Sequence, residues 1–443
     1  HLSVPAGWVR LGSRGVGTSN GPGHVDAPPR SATEAERSER RTAVLLLAVI
    51  LIPAAAATAI GLVWLWPGDV SDHVREETTQ FAVEGVTYPT GTVSDVQEMS
   101  CGGQPGSAPG SEETCAALTV QLSEGPDAGR DVSVPIPGAV YRSGVEPGDE
   151  VVLIRVPTQG QPGYQFYDFE RSLPLGVVAA AFAIVVIAVA RFRGLAAIVG
   201  LGFAFLILGK FLLPGLLTGQ SPLLYALVGS SAIMFVVLYA AHGFSARTTT
   251  ALAGTLFGLA LSALLGFVFT GWAHLTGVGS EDDFVLAAGA PDLNLSAVVM
   301  TGVIIAGLGV LNDVTITQAS AVWELHESSP TMGPGRLFAR AMRIGRDHIA
   351  STVYTIAFAT AGAALPVLLL IYLYDRSVLD VLQTEAISEE IVRTLVGSIG
   401  LVLAVPLTTA IGVAVTRHAG PRARPGGHRR AGGSRTGLVD GDW

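Results

Sequence analysis

Long apolar blocks separated by short charged joints set the pattern of this chain. Eight blocks reach the length of about 20 residues that a helix needs to cross a hydrocarbon core of about 30 Å. They lie at 43–66, 174–190, 195–213, 223–241, 249–271, 296–320, 350–373 and 394–416. Between the first two blocks, over 68–172, the pattern changes to short β-branched or alternating runs divided by Gly, Pro and Asp turns. Phe81–Val96, Ala117–Leu122, Asp131–Ile136 and Glu150–Val156 read as strands, and Pro147, Gly148 and Asp149 as a tight turn. The pattern therefore predicts a polytopic all-α membrane domain of about eight helices, with a small extracytoplasmic all-β domain inserted after the first. An OB-like barrel, another small β-sandwich and an irregular lid all remain open for that insert.

Composition agrees with membrane residence: 49% of the 443 residues are hydrophobic, 14% are charged, and the mean hydropathy is +0.49. The stretches 1–42 and 417–443 are rich in Gly, Pro, Ser and charge, so they are expected to be a disordered leader and tail. This leaves 43–66 as a first anchor, 68–172 as the β domain and 173–416 as a seven-helix body. Arginines flank alternate joints, at Arg40, Arg41, Arg191, Arg193, Arg247, Arg336, Arg340, Arg417 and Arg422. Acidic residues fill the opposite joints. The positive-inside rule then places both termini in the cytoplasm of a multi-pass cell-membrane protein. A single lysine, Lys210, against 26 arginines suggests a GC-rich genome, and the membrane is expected to be that of a bacterial cell.

The net charge of -9 is unevenly placed: the 68–172 segment holds 17 acidic residues against 5 arginines. That excludes a nucleic-acid surface there and leaves membrane lipids as the certain partner class. Cys101 and Cys115, both external, suggest a structural disulfide closing a Gly/Pro/Ser-rich loop. Neither a phosphate-cradling GxxxxGK[ST] nor an HExxH zinc motif is present. No cofactor or metal is expected, and the chain does not read as an enzyme.

The sixth block carries the most telling polar group. Asp313 lies in SAVVMTGVIIAGLGVLNDVTITQAS (296–320), and a carboxylate at that depth is expensive unless it meets protein, water or a partner. Helical spacing puts Asp313, Thr317, Ser320 and Glu324 on one face, with Asn312, Thr315 and Gln318 widening it. Such a strip can line a path for an ion or solute, or it can glue helices together. The following segment brings Arg343, Arg346 and Asp347 to the start of the seventh block, where Arg346 is a candidate partner for Asp313. Gly362 and Pro366 interrupt that block. His274 and His348 read as isolated histidines at joints.

Two stretches, GLGVLNDVTITQASAVWEL (307–325) and FARAMRIGRDHIASTVYTIAFATAGAALP (338–366), resemble the signature region of YibE/F-like membrane proteins, and the resemblance extends over roughly 80–416. Gly309, Asp313, Gly345, Arg346, Asp347, Gly362 and Pro366 are the positions it marks, with Thr317, Gln318 and Ser320 following its polar continuation. Asn312, Thr315 and Thr317 make this version of the helix more polar. The resemblance implies an integral membrane family with a suspected transport role and supplies neither substrate nor catalytic residues. The functional expectation is thus a permease or channel-like protein for a small solute or ion. The alternative is a non-enzymatic envelope scaffold or assembly factor that recruits an envelope protein through its β domain. Oligomeric state is left open.

Overall fold

The computed structural model describes residues 34–70, 73, 85–100, 114–158, 162–373 and 377–419. Helix α1 (Glu34–Trp64) leads into five strands, β1 (Thr90–Ser100), β2 (Thr114–Leu122), β3 (Asp131–Ile136), β4 (Glu150–Val156) and β5 (Gly163–Phe169). A short helix α2 (Gly138–Arg142) lies between β3 and β4. The chain then forms α3 (Ser172–Ala190), α4 (Phe192–Ile207), a π-helical turn at Leu208–Leu212 and α5 (Leu213–Leu217). There follow α6 (Pro222–His242), α7 (Ala246–Trp272), α8 (Glu281–Gly289), α9 (Leu295–Ser328) and α10 (Pro334–Ala363). The last helices are α11 (Leu365–Leu373), α12 (Val378–Leu382) and α13 (Glu385–Ala419).

The strands form one antiparallel sheet in the order β3-β2-β1-β4-β5, and its edge strands β3 and β5 approach each other, so the sheet rolls into a nearly closed barrel. Alternation drives the closure. Val132, Val134 and Ile136 of β3 point inward between exposed neighbours and meet Leu118, Val120, Val151 and Leu153 in one core. Burying each such side chain is worth roughly 1.5–3 kcal/mol. The strands expected at 117–122, 131–136 and 150–156 lie in β2, β3 and β4, while β5 is additional. The first expected strand is displaced: residues 81–84 lie outside the described residues, and β1 starts at Thr90.

The expected cysteine staple needs correction. Cys101 lies outside the described residues, so no disulfide joins two cysteines among them. What is seen is Cys115 on β2, opposite Met99 and without a free thiol. The ladder itself runs to Ser100 opposite Thr114, which already holds the two ends of that loop together.

Among the described residues, seven helices are long and apolar enough to cross a membrane: Leu47–Trp64, Ser172–Ala190, Phe192–Leu217, Pro222–His242, Ala246–Trp272, Leu295–Ser328 and Glu385–Arg417. The expected eighth, 350–373, is not among them. Its residues are divided between the end of α10 and α11, and the break falls at Ala364, two residues before Pro366. A proline ring removes an N–H and crowds the carbonyl four residues earlier, here that of Gly362.

Helices α7, α9 and α13 form the centre of the bundle. α9 and α13 are parallel, because Gly302 meets Arg393, Gln318 meets Thr409 and Val322 meets Gly412, a nearly constant offset. α7 runs against both. Its Gly258 takes Leu311 on one side and Ala404 on the other, and Gly400 of α13 faces Ser262. Small residues at these crossings let three backbones approach closely. α10 packs antiparallel to α9 and α13, with Ala341 beside Gln318 and Thr360 beside Thr394, so α10 and α11 carry the chain back along the bundle. The start of α13 is held at the far end by Glu385, whose carboxylate accepts the backbone N–H groups of Thr276 and Gly277.

Candidate functional site

The polar strip of α9 divides between two faces. Thr315 and Gln318 point into the bundle and are fully engaged there. The Thr315 hydroxyl lies 2.6 Å from that of Thr255 on α7. Gln318 Nε2 donates to Thr409 Oγ1 at 2.6 Å and to the Ala341 carbonyl at 3.1 Å, tying α9 to α13 and α10. Ser320 turns its hydroxyl back onto the Ile316 carbonyl, 2.7 Å away. These three residues hold helices and their own backbone. Asn312 is half-buried, and its Oδ1 has no hydrogen-bond partner among the described residues.

Asp313 and Thr317 lie on the other face. With Gly302, Ala306, Gly309, Ser320 and Glu324 they form a stripe of α9 that is open or only half-covered and recurs every three or four residues. Gly309 presents no side chain, and a Cβ there would meet no atom within 4 Å. Asp313 is 67% exposed on this stripe, and its Oδ2 lies 3.6 Å from Nε2 of His348 on α10. The His348 nitrogen has no closer polar partner among the described residues. The Thr255–Thr315 contact fixes the depth, since Thr255 is eight residues, about 12 Å, into α7 from Arg247. Asp313 lies about one half-turn deeper. The pair thus sits well inside the helical layer.

Arg346 is not the partner of Asp313: no ion pair joins them among the described residues, and the helical turn explains why. Gly345 faces inward, where a Cβ would lie 2.8 Å from both Gln318 Oε1 and Val405 Cγ1. His348, three residues on, shares that side. Arg346 is two residues before His348, about 200° away around α10. Arg343, Arg346 and Asp347 are all exposed. Gly362 and Pro366 mark the end of α10 and the start of α11, away from Asp313.

A second charged group lies farther along the same stripe. Arg393 of α13 pairs with Glu390, and its Nε lies 3.6 Å from where a Cβ on Gly302 would sit. Gly302 and Asp313 are eleven residues apart, about 16 Å along α9. Glu389 Oε1 and Arg393 Nε are buried without hydrogen-bond partners among the described residues. Neither His348 nor Arg393 stands out in the sequence as a site residue. His348 is legible only as the continuation of the inward Ala341–Gly345 spacing, and Arg393 lies one residue outside the expected eighth span.

The barrel has a polar cluster of its own. Asp127 accepts from the Tyr164 hydroxyl at 2.6 Å and from Arg155 Nε at 3.0 Å. The Tyr164 bond, and then the Arg155 bond, hold the Asp127 carboxyl below its ordinary range. No group of three or more metal-ligating side chains occurs among the described residues.

Residues 178–418, more than half of the chain, match the family described as YibE/F-like protein. The match begins within α3 and ends in the last turn of α13, so it covers the helical body and not the barrel. No curated protein and no solved structure matches the chain.

Proposed function

The chain belongs to the YibE/F-like family of multi-span membrane proteins, and from that premise we propose that it is a permease or channel-like protein for a small solute or ion. The observation that carries this reading is the Asp313–His348 pair, placed deep in the helical layer on a stripe that Gly302, Ala306 and Gly309 leave open. Polar groups used only for packing would be enclosed and satisfied, as Gln318 is; ionisable groups on an open track at membrane depth mark a pathway. The arginine-bearing ends are read as cytoplasmic, in a bacterial cell membrane. In this orientation Arg393 and Glu390 stand at the outer end of the track and Asp313 with His348 near its middle.

The insert is read as an OB-type barrel, on its strand order and on α2 lying between β3 and β4. It would stand outside the membrane. The scaffold alternative rests on this domain, which lies beyond the family match and carries an exposed Tyr88–Tyr167 edge-to-face ring pair.

Flux in sealed vesicles separates the two. Uptake and efflux of a panel of inorganic ions and amino acids should exceed protein-free vesicles for the original chain. It should fall at least about tenfold for Asp313→Asn. Equal flux for protein-free vesicles and folded protein, across the panel, removes the permease reading. Loss of a co-purifying envelope protein on deleting 85–169, with that partner retained in Asp313→Asn, would establish the scaffold instead.

A further inference from the structure

Deepening the permease reading, on which it rests for its role in transport, we infer that Asp313 and His348 together form a proton-binding site, and that the proton is the ion coupled to translocation. Their isolation is the first observation. Between Arg247 and Trp272 α7 has no ionisable side chain, and between Arg393 and Arg417 neither does α13. On α9, Asp313 is the only such group from Leu295 to Trp323. α6 contributes Tyr225, tilted against Phe211, Tyr239, whose hydroxyl lies beside Thr249, and His242 at its last turn. α10 itself adds Arg343, Arg346 and Asp347, turned to other sides of the helix, and the exposed Tyr354. Among the described residues, Asp313 and His348 each have an ion-pair contact with the other and with no further charged group.

Charge balance is the second. An ionised carboxylate without a counter-charge is costly at this depth. Two arrangements avoid that cost, a carboxylic acid beside a neutral imidazole and a carboxylate beside an imidazolium. Each contains one proton, held on Asp313 in the first and on His348 in the second, and the two arrangements have the same net charge across the 3.6 Å that separates Oδ2 from Nε2. Loss of that proton leaves the pair at minus one, and gain of a second leaves it at plus one. One proton thus decides whether the open stripe carries a net charge where a solute must pass.

Access is the third. The carboxylate is 67% exposed toward the stripe while the imidazole is 29% exposed, so protons reach the pair from the stripe side through Asp313. Thr317, one turn on, supplies a hydroxyl on the same face.

The test uses the full chain in lipid bilayers. Infrared difference spectra between about pH 4 and about pH 9 should contain a protonated-carboxyl band that is missing in Asp313→Asn. The midpoint of that band should move by about one pH unit or more in His348→Gln. Both substitutions are near-isosteric, and equal melting temperatures confirm that each variant is folded. Identical carboxyl bands in the original chain and folded Asp313→Asn overturn the proton site. In vesicles with measurable flux, an imposed pH gradient should drive accumulation in the original chain and not in His348→Gln. Flux indifferent to that gradient overturns the coupling while leaving the permease reading intact. A titrating Asp313 band with no flux of any solute retires the permease reading and the coupling, and leaves the proton site standing.

Discussion

Gln318 shows how much one side chain can decide in this bundle. Its amide joins α9 to α13 through Thr409 and to α10 through the Ala341 carbonyl, and a substitution that removes both bonds leaves buried acceptors behind. Gln318→Leu is expected to cost about 1–2 kcal/mol, read as a lower melting temperature in a fixed detergent. Gly345→Ala should cost about 1–3 kcal/mol by overpacking, because its Cβ would press on Gln318 and Val405. Asp313→Asn, on the open face, should leave that melting temperature nearly unchanged. The sequence places Asp313, Thr317, Ser320 and Glu324 on one side of a helix, and they do lie on one side. It does not say which side faces neighbours, because a helical wheel carries no information about what surrounds it. Asn312, Thr315 and Gln318 widen that face on the wheel, whereas Thr315 and Gln318 belong to the packed one.

Among elements, the barrel offers a dependence on acid. Tyr164 and Arg155 stabilise ionised Asp127, so its folded-state pKa lies below the unfolded one. That contribution is complete above the unfolded value of about 3.9 and is lost as pH falls through the lower folded value. Amide exchange in β4 and β5 of the intact chain, corrected for intrinsic rates, should accelerate over that acid window. Asp127→Asn should accelerate it at neutral pH and flatten its acid dependence. At the start of α13, Glu385→Gln weakens the acceptor for Thr276 and Gly277 and should speed exchange at those two amides without affecting β4. Element positions were legible wherever apolarity was continuous: α3, α6 and α7 lie within a few residues of their expected blocks. They were not legible where two signals overlap. α10 mixes an arginine-bearing first half with an apolar second half, and β5, inside the expected β domain, has aromatic residues in place of the β-branched runs that mark other strands.

Across the whole molecule, α1 and α13, the first and last long helices among the described residues, meet. Leu47 of α1 packs with Val413 and Val415 of α13, beside Val322 and Trp323 of α9. Replacing Gly400 by leucine, at the α7–α13 crossing against Ser262, should prevent that assembly. Full-length protein would then be made but become protease-sensitive throughout, a result checked by limited digestion of membranes.

The parallel pairing of α9 with α13 also governs how the chain is made. A ribosome delivers α1, the barrel and α7 long before Glu385 emerges, and until then the faces that α13 will cover on α7 and α9 have no occupant. Docking must await α13, after α10 and α11 have passed back along the bundle. Nascent chains halted before residue 385 should consequently be substrates for membrane quality-control proteases, and the completed chain should escape them. Helix α13 acts in this sense as a timer on biogenesis, because the faces it covers on α7 and α9 stay open until it has been made.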